Sequence, residues 1–200
     1  MSAIMTTTTI IKRDRVIRAL IREVLSSLPK IYVLVGPPGI GKSGWIAGNT
    51  NKPYIISRDA LVDAVREPLG VKYDDLFRNP KYQPLQNTVQ KMLKDRIAGA
   101  IESGRDIVVD MTNMSAGARR GALKAISGRE PDYEKIAVVF DHRGKEEEVI
   151  ASVERRAAML NDKNIPREVM QSMFSNFEYP SLEEGFDSII TASTEPALGI

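Results

Sequence analysis

The sequence predicts an α/β fold, a doubly wound parallel β-sheet of about five strands flanked by helices. Short apolar runs recur along the 200 residues, as strands buried on both faces of a parallel sheet require. Helical patterns lie between these runs, which is the alternation that βαβ units produce. A glycine-rich turn joins the first apolar run to the first helical pattern.

The predicted strands are the apolar runs, and the last of them is the weakest. They span residues 31–35, 53–57, 106–110, 136–140 and 187–191. The predicted helices are stretches in which apolar residues recur at three- and four-residue spacing. They cover roughly 42–48, 59–67, 84–103, 115–127, 145–160 and 166–177. Residues 68–82 are rich in Pro, Asn, Lys and Tyr, and we expect them to form a surface excursion rather than a domain boundary.

The N-terminal part of the chain is predicted to be an extension of the domain. Residues 1–9 are polar and are expected to fray, whereas 13–28 has the apolar spacing of an amphipathic helix. We therefore divide the chain into a tail with a helix, residues 1–29, and one domain, residues 30–200. The apolar stripe of this helix offers a surface for a homo-oligomer, and its arginines suit either solvent or a nucleic acid.

Composition limits the classes of protein to consider. Hydrophobic residues make up 42% of the chain and charged residues 27%, which suits a domain with a buried core. The formal net charge is only +2, although the 28 Lys and Arg can still form a local basic groove. The lack of cysteine excludes disulfides and thiolate sites and favours a reducing compartment. No apolar run approaches the length of a membrane span, so we expect a cytoplasmic protein with no membrane partner.

The glycine-rich turn matches a phosphate-binding motif. Gly36, Gly41, Lys42 and Ser43 satisfy G-x-x-x-x-G-K-[ST] between a predicted strand and a predicted helix, which is the context this motif requires. Lys42 would reach the β- and γ-phosphates, and the Ser43 hydroxyl would hold Mg²⁺. The motif predicts a P-loop NTPase fold that binds a nucleoside triphosphate, expected to be ATP, with Mg²⁺. The predicted cradle is Gly36, Pro37, Pro38, Gly39, Ile40, Gly41, Lys42, Ser43 and Gly44.

An aspartate follows the second predicted strand. Asp59 comes directly after Arg58, at the carboxyl end of that strand, which is the edge where open α/β sheets bind ligands. A carboxylate there is suited to accept the proton of a hydroxyl that attacks the γ-phosphate. The alternative is that Asp59 only caps the helix that follows.

Several strings of this sequence resemble the kinase domain of polynucleotide kinases, both the phage enzyme and the animal end-repair kinase. They are GPPGIGKS, SRDAL, VVDMTNMSAGAR, VERRAAML and NIPREVMQSMFSNFEYPSLEEGFDSI. They lie within residues 31–190 in the same order and with similar spacing as in that family. The family's Asn-Arg-Asp corresponds to residues 57–59 and its Asp-x-Thr-Asn to 110–113. Its late Phe-x-x-Pro-[ST]-Leu-x-Glu-Gly-Phe corresponds to 177–186, a string that no generic NTP-binding protein needs.

The resemblance implies the catalytic residues. Asp59 would activate the acceptor hydroxyl, and Lys42 would hold the donor phosphates. Arg155 or Arg156 would close over these phosphates as a lid arginine and neutralise charge on the transferring group. Spacing to Pro166 slightly favours Arg155.

The resemblance also implies residues for the metal and the acceptor. Asp110 would lie at the end of the third strand and support the metal, together with Ser43, or the acceptor. The residues implied on the acceptor side are Arg58, Asp110, Thr112 and Asn113. In one departure from the phage enzyme, Val62 stands where that enzyme has an arginine for the acceptor strand's phosphate, and Arg66 one turn further would compensate.

Together these features predict an ATP-dependent phosphotransferase that acts on a hydroxyl of a nucleic acid, with DNA expected before RNA. The departure at Val62 leaves two acceptors open, a 5′-hydroxyl end or a 5-hydroxymethyl-pyrimidine base within phage DNA. The second resembles the acceptor of related phage kinases and would have to be flipped out of a duplex. One alternative is a kinase of a free nucleoside, nucleotide or other small-molecule hydroxyl. Another is a non-catalytic NTP-binding switch or interaction module.

Other candidate residues carry weaker predictions. His142 is the only histidine and has no nucleophile pattern near it, so we do not predict a catalytic role. Arg119 and the basic residues that follow it predict either a phosphate-backbone contact or a solvated helix face. Tyr73 and Phe77 predict either stacking on an exposed base or attachment of a long loop to the domain.

Overall fold

The sheet is parallel throughout, as the apolar runs predict. The computed structural model describes residues 28–126, 133–160 and 165–192. Its strands are β1 (Lys30–Val35), β2 (Tyr54–Ile56), β3 (Ile107–Val109), β4 (Glu134–Val139) and β5 (Ser188–Thr191). Within these ranges they pair in the order β2-β3-β1-β4-β5. The predicted α/β fold with five strands is therefore confirmed.

The helices lie in the segments that connect the strands. They are α1 (Lys42–Asn49), α2 (Arg58–Arg66), α3 (Tyr73–Arg78), α4 (Gln83–Glu102), α5 (Ala116–Ile126), α6 (Glu146–Leu160) and α7 (Arg167–Ser175). Short 3₁₀ turns occur at Glu67–Leu69, Pro80–Tyr82 and Leu182–Glu184. Every helix that periodicity predicts between 42 and 177 is present, with ends shifted by at most two residues. Helix α3 is the one that the sequence analysis missed.

Both faces of the sheet are covered by helices because apolar side chains point to either side along each strand. On β1, Ile31 and Val33 belong to one core while Tyr32 and Leu34 belong to the other. The first core packs against α4 and α5, and the second against α1, α6 and α7. Burial of each large aliphatic side chain contributes about 1.5–3 kcal/mol. The two cores fix the sheet between its helices and so fix the edge at which its strands end.

Most of residues 68–82 are exposed, as expected of a surface excursion, but the segment has regular structure that the sequence analysis does not predict. They form helix α3 between two 3₁₀ turns, and Leu76 of α3 is completely buried. Leu76 packs with Val71 and with Val62 of α2 and Val89 of α4 in a third, smaller core. The helix was missed because six residues are too few to show a period, and Pro68 and Pro80 on its flanks indicate turns.

The predicted N-terminal helix over 13–28 and the tail over 1–9 lie outside the described residues, apart from residue 28. The division of the chain at residues 29 and 30 accordingly stays a prediction. Across the ranges that the structure covers, no helix combines the length and the hydropathy needed to cross a membrane.

Candidate active site

The carboxyl ends of β1, β2 and β3 bring the predicted site residues to one edge of the sheet. β1 leads into the glycine-rich loop, β2 into Asp59, and β3 into Asp110. The backbone N–H of Asp110 still donates to the carbonyl of Ile56 at 2.9 Å, so the ends of β2 and β3 are level. Ligands of open α/β sheets bind at this edge.

The glycine-rich loop has the geometry of a phosphate cradle. Gly39 and Gly41 have φ of 78° and 98°, in the left-handed region that favours glycine, and Gly41 is the N-cap of α1. A Cβ at Gly36 would come within 2.8 Å of the Cβ of Phe140, and one at Gly39 within 2.7 Å of Cγ2 of Val153. The loop therefore packs closely against the end of β4 and against α6. The N-terminus of α1 follows the loop directly, which is the arrangement that binds phosphate in other proteins.

The Lys42 side chain folds back onto the glycine-rich loop and bonds to its backbone. Its Nζ donates to the carbonyls of Gly36 at 3.0 Å and Pro37 at 2.8 Å. Burial lowers the pKa of Lys42 to about 8, and the nearby carboxylates of Asp110 and Asp59 oppose this shift. Lys42, Asp59 and Asp110 therefore lie close enough for their charges to influence one another.

Asp110 and Ser43 are the residues that could hold Mg²⁺. Burial raises the pKa of Asp110, Lys42 opposes this, and Asp59 adds to it. Ser43 is exposed in the first turn of α1. The described residues contain no group of three or more His, Asp or Glu that could form a metal site. A carboxylate and a hydroxyl fit Mg²⁺, which in nucleotide sites takes few protein ligands and completes its octahedron with phosphate and water.

Asp59 is not the cap of α2. Helix α2 begins at Arg58, and its N-cap is Ser57, whose hydroxyl accepts from the N–H of Ala60 at 3.4 Å. The side chain of Asp59 is exposed, and its Oδ1 accepts a hydrogen bond from the Tyr73 hydroxyl at 3.2 Å. The capping alternative is therefore wrong, and the carboxylate is available to the space beside Lys42.

Arg58 and Arg66 both pack against aromatic rings of α3. The Arg58 guanidinium lies over Phe77, 5.3 Å from the ring centre. Arg66 lies 5.8 Å from the centre of Tyr73, and its Nε donates to Asp63 at 2.7 Å. Arg66 is therefore held within the α2–α3 surface.

Val62 has a structural reason to be apolar. Its side chain is completely buried in the core shared with Leu76 of α3. An arginine at this position would place a charge in that core, which is costly unless the charge is paired. The packing of α3 against α2 therefore explains why residue 62 is apolar in this chain.

Thr112 and Asn113 connect the loop after β3 to β1. The carbonyl of Thr112 accepts from the N–H of Gly36 at 2.9 Å. Asn113 is 3% exposed, has φ of 45°, and donates through Nδ2 to the carbonyl of Leu34 at 2.9 Å. The Asn113 amide thus bonds to the β1 backbone. Asn113 affects the site only by fixing the loop after β3 to β1.

Sequence analysis missed the buried role of Arg119. This side chain is completely buried and donates to both carboxylate oxygens of Glu184, at 2.7 and 2.8 Å. It also donates to the carbonyls of Met114 at 3.2 Å and Glu178 at 2.8 Å. A phosphate contact by Arg119 is therefore excluded. The partner Glu184 lies in the late string 177–186, but nothing in that string indicates the pairing with Arg119.

The structure does not distinguish the two lid candidates. Arg155 and Arg156 are both exposed on α6, shortly before residues 161–164, which lie outside the described ranges.

His142 is 1% exposed and stacks on Phe174, with ring centres 5.0 Å apart. It is therefore a core residue.

A cleft of about 430 Å³ opens next to the loop after β3. It lies between this loop and α7, and its wall combines thioether and hydroxyl groups. The residues that define it are Thr112, Met114, Ser115, Val169, Ser172 and Met173. A second, mainly apolar cavity of about 270 Å³ lies between α4 and α5.

Comparison with known proteins agrees with this geometry. A chain from the structure of the Pnkp1/Rnl/Hen1 RNA repair complex superposes with a TM-score of 0.58 at 21% identity, covering 80% of this chain. The present chain spans only 47% of the length of that one. A provisionally assigned kinase from Chloroflexus aurantiacus j-10-fl also gives a TM-score of 0.58, at 16% identity, covering 86% of this chain and 89% of its own.

These likenesses establish the shared fold, and they agree with the resemblance to polynucleotide kinases that the motifs indicate. The predicted P-loop NTPase fold is confirmed, and this fold implies that the domain binds a nucleotide. A sequence profile described as an AAA domain matches residues 31–180, so the chain belongs to the AAA domain family.

Proposed function

We propose that this chain is a phosphotransferase that moves the γ-phosphate of ATP to a hydroxyl of a nucleic acid. The observation that carries the proposal is that the strand ends place Asp59 and Asp110 at the same sheet edge as the glycine-rich loop, where both carboxylates favour the charged form of Lys42. A P-loop alone serves many NTPases, whereas an additional carboxylate at the same sheet edge as the phosphate lysine suits an alcohol acceptor.

Each residue of the site has a distinct role in the proposed transfer of the γ-phosphate. The loop amides and Lys42 hold the β- and γ-phosphates, once Lys42 exchanges its carbonyl partners for phosphate oxygens. Asp59 takes the proton of the acceptor hydroxyl as that oxygen bonds to the γ-phosphorus, and the bond from this phosphorus to the bridging oxygen breaks to leave ADP. Arg155 or Arg156 neutralises the charge that spreads onto the transferring group.

The site also suits the magnesium ion that such donors carry. Ser43 and Asp110 would hold it beside the phosphates, Ser43 through its exposed hydroxyl and Asp110 through its carboxylate. When bound, Mg²⁺ neutralises phosphate charge and orients the donor.

Three observations support a nucleic-acid acceptor. The strings at 57–59, 110–113 and 177–186 resemble polynucleotide kinases in order and spacing. The fold is shared with a chain of an RNA repair complex. The cleft of about 430 Å³ beside Thr112 has room for a nucleoside and lies next to the glycine-rich loop. DNA is proposed ahead of RNA, with a 5′-hydroxyl end or a 5-hydroxymethyl-pyrimidine as the acceptor.

Mass spectrometry of digested nucleic acid tests the proposal. DNA and RNA with 5′-hydroxyl ends, and DNA containing 5-hydroxymethyl-pyrimidines, are incubated with the protein, ATP and Mg²⁺ and then digested to nucleoside 3′-phosphates without a phosphatase. Phosphate on a terminal sugar or on a base supports the proposal and identifies the acceptor. Phosphate transfer only to free nucleosides would favour a small-molecule kinase, and nucleotide binding without any product would favour a non-catalytic switch.

The role of Asp59 is tested with an isosteric substitution. Asp59→Asn is expected to lower the turnover rate by about 10²- to 10⁴-fold while ADP binding is retained, because only proton transfer is lost. Asp63→Asn is the matched control, since Asp63 lies one turn further along α2 and is bonded to Arg66. Wild-type turnover in Asp59→Asn would remove this residue from the mechanism.

A further inference from the structure

Helix α3 presents a hydroxyl to the carboxylate that the proposed reaction uses. The Tyr73 hydroxyl donates to Oδ1 of Asp59 at 3.2 Å, across 14 residues of sequence. Among the described residues, no other side chain donates a hydrogen bond to the Asp59 carboxylate. Because Asp59 is exposed at the rim of the site, a contact of this kind is needed to limit its rotamers.

The Tyr73 ring is itself held firmly. It packs against Phe77, with ring centres 5.2 Å apart, and lies under the Arg66 guanidinium. Three residues further along α3, Leu76 is completely buried and fixes the helix to α2 and α4. The hydroxyl is therefore delivered from a packed helix and not from a loop.

The Tyr73 hydroxyl also stays a donor over the whole working range of pH. Burial and the neighbouring Asp59 carboxylate raise the pKa of Tyr73 to about 12. A phenol that keeps its proton can bond one oxygen of a carboxylate but cannot replace that carboxylate as a base.

We propose that Tyr73 is a positioning residue for Asp59, holding Oδ1 so that Oδ2 faces the acceptor hydroxyl. This inference rests on the proposed function, since it gives Asp59 a proton to accept. In the transfer step, the acceptor O–H bond breaks toward Oδ2 as the new oxygen–phosphorus bond forms and ADP leaves. Tyr73 loses no proton and touches no substrate, so it acts only through Asp59.

The inference predicts a specific kinetic pattern for Tyr73→Phe. This variant removes the hydroxyl and keeps the ring against Phe77, so we expect an unchanged melting temperature. The turnover rate should fall by about tenfold, the effect of one hydrogen bond to a charged group, while the KM for ATP is unchanged. Tyr82→Phe is the matched control, because Tyr82 belongs to the same small core and has no contact with Asp59.

A double-mutant cycle distinguishes positioning from a general structural effect. Tyr73→Phe is measured in the wild-type protein and in Asp59→Asn, with the oligonucleotide acceptor that the mass spectrometry identifies. A loss confined to the wild-type background supports the inference. An equal loss in both backgrounds, or no loss in either, overturns it.

The cycle also separates this inference from the proposed function. Wild-type protein that transfers phosphate at the same rate as Tyr73→Phe would overturn only the role of Tyr73. Wild-type protein that phosphorylates neither a strand end nor a base would overturn both proposals.

Discussion

Arg119 of α5 and Glu184 of the last 3₁₀ turn form a two-point ion pair across 65 residues of sequence, with N–O distances of 2.7 and 2.8 Å. The Arg119 side chain is completely buried, and that of Glu184 is 8% exposed. The same guanidinium donates to the backbone carbonyls of the loop after β3 and of Glu178. The pair therefore connects the 3₁₀ turn before β5 with the loop after β3, which carries Asp110 and Thr112.

Replacing Arg119 should destabilise the fold strongly. Arg119→Met leaves the buried Glu184 carboxylate without its cation, and we expect a loss of about 3–5 kcal/mol in the free energy of unfolding. Urea unfolding measures this loss. Arg120→Met, at the exposed neighbouring position, should change stability by no more than about 0.5 kcal/mol.

Changing both members of the pair should recover part of this loss. In Arg119→Met with Glu184→Leu no unpaired charge remains, so the double variant should be more stable than Arg119→Met alone. A double variant that is less stable would show that the contacts with backbone carbonyls, and not the buried charge, dominate.

The sequence could not predict this pair because it carries only local information. On α5, helical periodicity assigns an arginine to the solvated face, since most arginines lie there. The partner at Glu184 lies 65 residues away, so no spacing rule connects the two. The late string 177–186 indicated that the segment matters but not that it holds the loop after β3.

The sheet edge that carries the candidate site, in contrast, was predictable. β1, β2 and β3 are continuous apolar runs, and the first polar residues after them fall at the same edge of a parallel sheet. Gly36 and Asp59 could therefore be placed at one edge from the apolar runs, and the resemblance to polynucleotide kinases added Asp110. The contact between Asp59 and Tyr73 could not, because α3 has six residues and shows no helical period.

Nucleotide binding should take up protons near pH 8. In the free protein the pKa of Lys42 is lowered to about 8, and bound phosphates would raise it because they favour the charged form. At pH 8 each ADP bound should therefore draw up to about half a proton onto Lys42. Calorimetric titrations in two buffers with different ionisation enthalpies measure this uptake.

The control for this measurement is Lys42→Arg, because a guanidinium stays charged at this pH. Its binding enthalpy should not depend on the buffer, provided that ADP still binds. Equal proton uptake by the two proteins would mean that another group supplies the effect.

Two glycines of the phosphate-binding segment should respond in opposite ways to alanine. At Gly39, φ is 78° and an added Cβ would lie 2.7 Å from Cγ2 of Val153, so Gly39→Ala should distort the loop and abolish ADP binding. At Gly44, within α1, an added Cβ would meet nothing within 4 Å. Gly44→Ala should raise the free energy of unfolding by about 0.5–1 kcal/mol.

Thermal unfolding and ADP titration of the two variants check this contrast. Loss of ADP binding in Gly44→Ala as well would show that bound nucleotide occupies the open space over α1. Normal binding by Gly39→Ala would contradict the cradle geometry.

The buried histidine should make the protein less stable in acid. Burial lowers the pKa of His142, whereas a hydrogen bond with the Phe140 backbone and the charges of Glu146 and Asp141 oppose this shift. The unfolded chain, with the ordinary pKa of about 6.5, then binds a proton more readily than the folded protein. Stability is therefore complete above that pH and falls as the pH drops below it.

His142→Phe tests this prediction, because it keeps an aromatic ring against Phe174 and removes the only histidine of the chain. The raised pKa of Asp110 acts in the opposite direction, since a folded protein that binds a proton more tightly gains stability in acid. The difference between wild type and variant cancels that effect. Urea unfolding at several values between pH 5 and pH 7.5 should show a steeper loss for wild type. Parallel curves would mean that His142 can be protonated in the folded protein at no cost in free energy.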